Sequence, residues 1–288
     1  MNYQHAFHAG NYADVFKHVW LVQLLRAMQR KEKGFVYLDT HAGRGSYNLT
    51  QSPAAPGVVR EPEWPDGIGR LWKGIGLPAV LADYLALVRR FNVRPDAAGG
   101  PLCWYPGSPS LAALLRRPQD RLVLWERQDA EVGPLKRLFA RRRRIAVEAG
   151  DGYGALRAVL PPAERRALVL IDPPFEDKAE FEAVTGALRE GLRRFREGTF
   201  AVWYPVTERA RADRFHAAVR SLAPPPTLWS ELSITAKPEV RMKACGLVVV
   251  NPPWRVYDEV VPVLPDLSRC LALDGGAGAR SGWIVPER

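Results

Sequence analysis

The chain has 288 residues, 47% of them hydrophobic, and a formal net charge of +10. That length buries a sizeable core as one large domain, or as a domain with an insertion. No run approaches the roughly 18 apolar residues of a membrane helix, and the opening MNYQHAFHAGNYADVFKH lacks the basic start and apolar centre of a secretory signal.

Residues 12–30 carry apolar residues at helical spacing, with Asp14 early and Arg30 late, an amphipathic helix. GFVYLDTHAGRG (34–45) reads as a short strand entering a glycine turn. Residues 51–70 are rich in Pro and Gly, 78–91 are helical behind Pro78, and 92–110 form a loop. Strand and helix then alternate. SLAALLRR (110–117) is helical, RLVLWE (121–126) a strand, and 130–144 helical apart from Gly133-Pro134. RIAVEAGDG (144–152) is a strand and turn, and 153–160 a helix. RALVLIDPPF (166–175) is a strand, 178–195 a helix, TFAVWYPV (199–206) a strand and 209–222 a helix. The tail gives strands at 228–234, 244–250 and 281–287, with a short helix before the last. The pattern predicts an α/β, mostly parallel sheet with helices on both faces. The last two strands, briefly connected, are expected to pair antiparallel.

Cys103, Cys245 and Cys270 are widely spaced and form no disulfide or zinc pattern, so a reducing cytoplasm is expected. The basic balance favours a polyanionic partner. Clusters such as Arg141 to Arg144 also suit solvated helix ends.

In such sheets ligands bind outside the carboxyl ends of the strands, so the residues at those ends carry the functional argument. Gly43 and Gly45 let a turn approach a ligand closely, and His41 lies inside it, where local backbone could equally satisfy it. Glu126 ends a strand, as do the acids that accept ribose hydroxyls in dinucleotide folds, or it is an ordinary surface acid. Asp151 either reads a purine edge or caps the next helix. Asp172 emerges from Val-Leu-Ile into Pro173-Pro174-Phe175. Prolines have a fixed φ and no N–H, so their carbonyls stay available as acceptors. A carboxylate, a rigid carbonyl and an aromatic face suit a planar base with an exocyclic amine.

The Asp-Pro-Pro-aromatic turn is similar to the catalytic motif of S-adenosylmethionine-dependent amino methyltransferases. With YQHAFHAGNYADVFKH, YLDTHAGRGSY, YPGSP, LWE, GDG, LIDPPFE, TFAVWYPV, NPPW and GWIVPE, the chain resembles the 23S ribosomal RNA (adenine 2030-N6) methyltransferase family. The resemblance implies a Rossmann-like class I domain from 1–50 and 101–288, with 51–100 as a small helical insertion. It implies Asp172 as the catalytic acceptor, with Tyr3, Pro173 and Phe175 on the substrate. His18, His41, Ser108, Glu126, Asp151, Gly152 and Asp172 would contact S-adenosylmethionine, leaving S-adenosylhomocysteine. No metal, membrane or obligate protein partner is implied; the partner is 23S rRNA, naked or early in assembly. Phe175 stands where the family commonly has Tyr.

A second candidate, NPPW at 251–254, fits the broad motif, but it follows a strand expected to run antiparallel and to end away from the crevice. It is therefore expected to be a structural turn with Trp254 packed on the core. The basic loop with Lys237, Arg241 and Lys243 is a candidate RNA clamp or a mobile loop without a partner. Rival functions are a DNA adenine-N6 or protein amino methyltransferase, and a non-catalytic rRNA-binding protein.

Overall fold

Asn11 starts the first long helix by accepting the Asp14 amide on its side chain at 2.9 Å, which satisfies one of the orphan donors of a helix N-terminus. In this computed structural model, residues 5–50, 61–92, 100–177, 179–237, 240 and 242–287 are described. Helix α1 (His5–His8) leads into α2 (Tyr12–Gln29). Nearly all of α2 is buried, because it lies between the sheet and a further helical layer and has no solvent face.

Strand β1 (Val36–Asp39) follows, then a small antiparallel pair, β2 (Ser46–Asn48) with β3 (Trp104–Pro106). Strand β3 falls in the segment read as a loop and β2 just past the glycine turn; at three residues each they are too short for a periodic pattern. Between them, α3 (Ile68–Trp72) and α4 (Ala79–Asn92) pack their apolar sides, including Leu71, Leu81, Tyr84 and Val88, into the core around α2.

Helix α5 (Ser108–Leu115), β4 (Arg121–Glu126), α6 (Asp129–Leu138), β5 (Ile145–Ala149) and α7 (Gly152–Val159) come next. Helix α6 runs through Gly133-Pro134, where the sequence suggested a break. Proline forfeits one intrahelical bond, and burial of Leu135 and Val132 against the sheet holds the helix together. The chain continues through β6 (Ala167–Ile171), α8 (Glu180–Arg194), β7 (Thr199–Pro205) and α9 (Arg209–Ser221). It ends with β8 (Thr227–Ser233), β9 (Ala244–Val250), α10 (Val256–Val260), α11 (Leu264–Leu271) and β10 (Gly278–Val285).

The main sheet has the order β10-β8-β9-β7-β6-β1-β4-β5. Strands β7, β6, β1, β4 and β5 are parallel to their neighbours within this block, while β9 runs antiparallel to both β7 and β8, and β10 antiparallel to β8. The expected β9–β10 pair does not form: both edges of β9 are taken, so β10 adds to the open edge of β8. One apolar cluster joins α2 to α6, α10 and α11 on one face; the other joins α7, α8 and α9 on the opposite face. No helix among the described residues is long and apolar enough to cross a membrane.

From β1 the chain steps outward to β4 and β5, then returns to β6 on the other side of β1. The order reverses there, which places the topological switch point, and the crevice that accompanies it, at the carboxyl ends of β1 and β6.

Candidate active site

Asp39 ends β1, Glu126 ends β4, Asp151 follows β5, and Asp172 follows β6. The parallel register puts all four on one edge: Asp39 lies beside Leu124 and Leu170, and Glu126 beside Ala149. Three acids read separately in the sequence, Glu126, Asp151 and Asp172, thus line one crevice with Asp39.

Asp172 Oδ2 accepts from Lys17 Nζ at 2.5 Å. Lys17 also pairs with Asp14 at 2.9 Å, and Asp14 accepts the Gly10 amide at 3.0 Å. Burial would lower the Lys17 pKa, but Asp14 and Asp172 outweigh it and hold the ammonium well above its ordinary value. The sequence reading missed Lys17 and Asp14; their spacing was a sign, since a lysine on the buried side of a helix needs a partner. Pro173 is buried and Phe175 half-buried, with φ +49°. The Phe175 ring packs on Phe181 and Trp203, with centroids 4.8 and 5.8 Å apart.

Asp39 is fully buried and was also missed, although it is a strand-end acid like the others. It accepts the Tyr37 hydroxyl at 2.8 Å and the Ser108 hydroxyl at 2.7 Å. Burial raises its pKa to about 6, against the pull of those two hydrogen bonds. Ser108, at the start of α5, therefore faces the crevice floor. His41 is half-buried and shares a 2.8 Å hydrogen bond with Thr40. Its ring sits edge-on to Tyr153 at 5.1 Å. Burial lowers its pKa to about 4, although Asp172 and Asp151 pull the other way. It is a neutral imidazole at pH 7.

Glu126 accepts the Gly43 amide at 2.7 Å, and those of Arg127 and Gln128 at 2.8 Å each. Three backbone donors lock the carboxylate and tie the glycine turn to β4. Gly43 has φ +59° and Gly45 +76°, the left-handed region that favours glycine. Asp151 does cap α7, accepting Tyr153 and Gly154 amides at 3.3 and 3.2 Å, and is exposed to the crevice side with lone pairs to spare. Gly152 packs against the residue that follows β1: a Cβ there would lie 1.8 Å from the Thr40 carbonyl oxygen. His18 is buried in α2, with Nδ1 2.7 Å from the Tyr105 hydroxyl. Tyr3 lies outside the described residues.

NPPW lies at the other end of the sheet. Val250 pairs with Phe200, near the start of β7, and the Thr199 hydroxyl donates to the Asn251 carbonyl at 2.8 Å. Asn251 donates to the carbonyls of Arg196 and Gly198 at 2.7 and 3.1 Å, a structural turn. Trp254 is not packed on the core as expected; it is 75% exposed, with the Arg255 guanidinium 5.3 Å from its ring centroid. Left-handed backbone at Asn251 and Arg255 swings the intervening residues outward.

The switch-point crevice, the strand-end acids and the sheet order define the Rossmann-like fold of class I methyltransferases. The family model described as "Ribosomal RNA large subunit methyltransferase D, RlmJ" matches residues 32–285. The chain is 39% identical to the ribosomal RNA large subunit methyltransferase J of Haemophilus influenzae and 40% identical to that of Escherichia coli, with both proteins of each pair covered in full. A crystal structure of a Legionella pneumophila protein superposes with a TM-score of 0.86 at 33% identity, covering 96% of this chain and 98% of that one. The chain belongs to the ribosomal RNA large subunit methyltransferase J family.

Proposed function

We propose that this protein transfers a methyl group from S-adenosylmethionine to N6 of a single adenine, position 2030, in 23S rRNA. The observation that carries the reading is Asp172, held by Lys17 in the switch-point crevice and followed at once by Pro173, Pro174 and Phe175.

The crevice fits the cofactor's chemistry. S-adenosylmethionine supplies an electrophilic methyl on a cationic sulfur, and carboxylates at Asp39, Glu126, Asp151 and Asp172 favour a cation. Glu126, oriented by three amides, would accept the ribose hydroxyls. Asp151 and the Gly152 amide would read the adenine edge. His41, Ser108 and the Tyr105-bound His18 would shape the floor. A neutral His41 adds no charge against the sulfonium.

The target amine is a weak nucleophile because its lone pair is delocalised into the ring. With Lys17 on Oδ2, Asp172 Oδ1 accepts one N–H and the Pro173 carbonyl the other. This arrangement favours a tetrahedral nitrogen aimed at the methyl, and positioning supplies much of the acceleration. An ion-paired carboxylate suits the acceptor role. The base must leave its stack, and the Phe175 ring, steadied by Phe181 and Trp203, recovers part of that cost. Tyr3, outside the described residues, would contact the substrate. Of residues 51–100, the described stretch 61–92 would belong to an inserted helical subdomain; 51–60 and 93–99 lie outside the described residues. Tyr12 donates to the Met242 carbonyl at 3.0 Å and so pins the basic loop with Lys237 and Lys243 beside α2, a position from which it can clamp RNA; Arg241 lies outside the described residues.

Methyl transfer from labelled cofactor to naked 23S rRNA, duplex DNA and protein tests the reading. N6-methyladenosine at one site of the rRNA is the expected product. Methylation of DNA or protein alone, or failure to bind the cofactor, overturns it.

A further inference from the structure

The positive charge of this chain is concentrated away from the crevice. The segments that follow β1, β4, β5 and β6 at the crevice edge, 39–45, 126–131, 150–154 and 172–177, hold eight carboxylates against two arginines. The segments at the amino ends of the strands, 30–35, 116–121, 139–144, 161–166, 193–198 and 251–255, hold sixteen arginines and lysines against four carboxylates. Parallel strands place all of the second group on the opposite edge of the sheet, and β9, running antiparallel, delivers Trp254 and Arg255 to it.

Contacts show that this is one continuous face. Arg30 donates to the Trp254 carbonyl, Arg166 to the Lys33 carbonyl, and Arg117 to the Lys31 carbonyl at 2.9 Å. Arg144 reaches the Gln119 carbonyl at 3.1 Å, and Asn251 the Arg196 carbonyl. Carboxylates neutralise Arg30, Arg117, Arg121, Arg144, Arg193 and Arg194. Lys31, Lys33, Arg141, Arg142, Arg143 and Arg165 are exposed and have no carboxylate partner among the described residues. Of the seven described non-glycine residues with positive φ, four are arginines on this face: Arg141, Arg144, Arg165 and Arg255. Such positions favour Gly or Asn, so charge occupies turns where backbone preference alone would not put it.

We propose that this amino-terminal edge is a second RNA-binding face, holding phosphates of the substrate RNA distant from the target base, with Trp254 available to stack an unpaired base. The proposal rests on the methyltransferase reading above. The acidic strand ends attract the cofactor and repel a polyanion, so phosphates beyond the reach of the loop with Lys237 and Lys243 are gripped elsewhere. A five-residue strand spans only about 17 Å, and a folded RNA of a few helical turns reaches both edges, whereas a short target stem-loop fills the crevice alone.

The test compares K31Q/R142Q/R143Q with a control triple, R90Q/R189Q/R214Q, on the outer helices. Long rRNA fragment and short target stem-loop serve as substrates. Each phosphate contact contributes about 0.7–0.9 to the slope of log affinity against log salt. The first triple should lower that slope by about 2–3 for the long fragment and raise its KM about tenfold or more, with kcat and stem-loop kinetics unchanged. W254A should weaken long-fragment binding several-fold at unchanged Tm. Equal slopes and KM values for the two triples overturn the proposal. A wild-type protein that methylates no RNA, while the slopes still differ, overturns the methyltransferase reading and leaves this face supported.

Discussion

Lys17 Nζ lies 2.5 Å from Asp172 Oδ2 and 2.9 Å from Asp14 Oδ1, so one buried ammonium joins the first long helix to the Asp-Pro-Pro-Phe turn. Removing the ammonium leaves two carboxylates uncompensated. Breaking a buried ion pair this way typically costs about 3–5 kcal/mol. Lys17→Met should therefore lower stability by about that much, measured by urea unfolding, and should cut kcat as Asp172 loses its orientation. Asp172→Asn keeps the shape and changes the acceptor; a loss of about 100-fold or more in kcat is expected.

Phe175 should tolerate Tyr and not Ala. Base stacking is worth roughly 1–3 kcal/mol, so Phe175→Ala should lower kcat/KM about 10- to 100-fold while Phe175→Tyr stays near wild type. Equal activity of all three in steady-state assays would remove the ring from the base pocket.

The two motifs should separate cleanly. Asn251→Ala loses hydrogen bonds to Arg196 and Gly198 and puts alanine at φ +48°. A stability loss of about 1–3 kcal/mol is expected, with kcat unchanged at a temperature where the variant is folded. A collapse of kcat in folded protein would reassign the catalytic motif.

Asp39 and His41 should shape the pH dependence of stability in opposite senses. Asp39 has its pKa raised from 3.8 to about 6. Its contribution is present below about pH 4 and lost as pH rises through 6. His41 has its pKa lowered from 6.5 to about 4. Its contribution is present above pH 6.5 and lost as pH falls through 4, by at most about 3 kcal/mol. His41→Gln should flatten the acid side of the stability profile, and Asp39→Asn should remove the loss between pH 4 and 6. NMR titration of wild type should find the His41 ring uncharged at pH 6.

Gly152→Ala should fail for a steric reason, because its Cβ would fall 1.8 Å from the Thr40 carbonyl oxygen. Overpacking of this kind costs about 1–3 kcal/mol and should appear as a lower Tm. Glu126→Gln puts an amide NH2 against at least one of the part-buried backbone donors that the carboxylate satisfies, so it should lower Tm as well as raise the KM for S-adenosylmethionine at least several-fold.

Local pattern and strand-end chemistry made much of this legible in the sequence. The alternation of β4, α6, β5, α7, β6, α8, β7 and α9 is carried by apolar periodicity within each segment, and the acids at 126, 151 and 172 stand where each apolar run stops. The reversal of β9, which carries NPPW to the edge of the sheet away from the crevice, was legible too. What needed the tertiary structure were relationships between distant segments. Lys17 meets Asp172 across 155 positions, and Ser108 meets Asp39 across 69. Trp254 was expected on the core as part of a structural turn, yet it is exposed between two left-handed residues. Chain order likewise pointed β10 to the wrong neighbour, β9, since the choice depended on which edges were already filled. Side-chain type and period act over a few residues and fix what each segment is. Packing, pairing and burial act between segments, and only those decided which charges met, which were left facing solvent, and on which edge of the sheet each sign of charge collected.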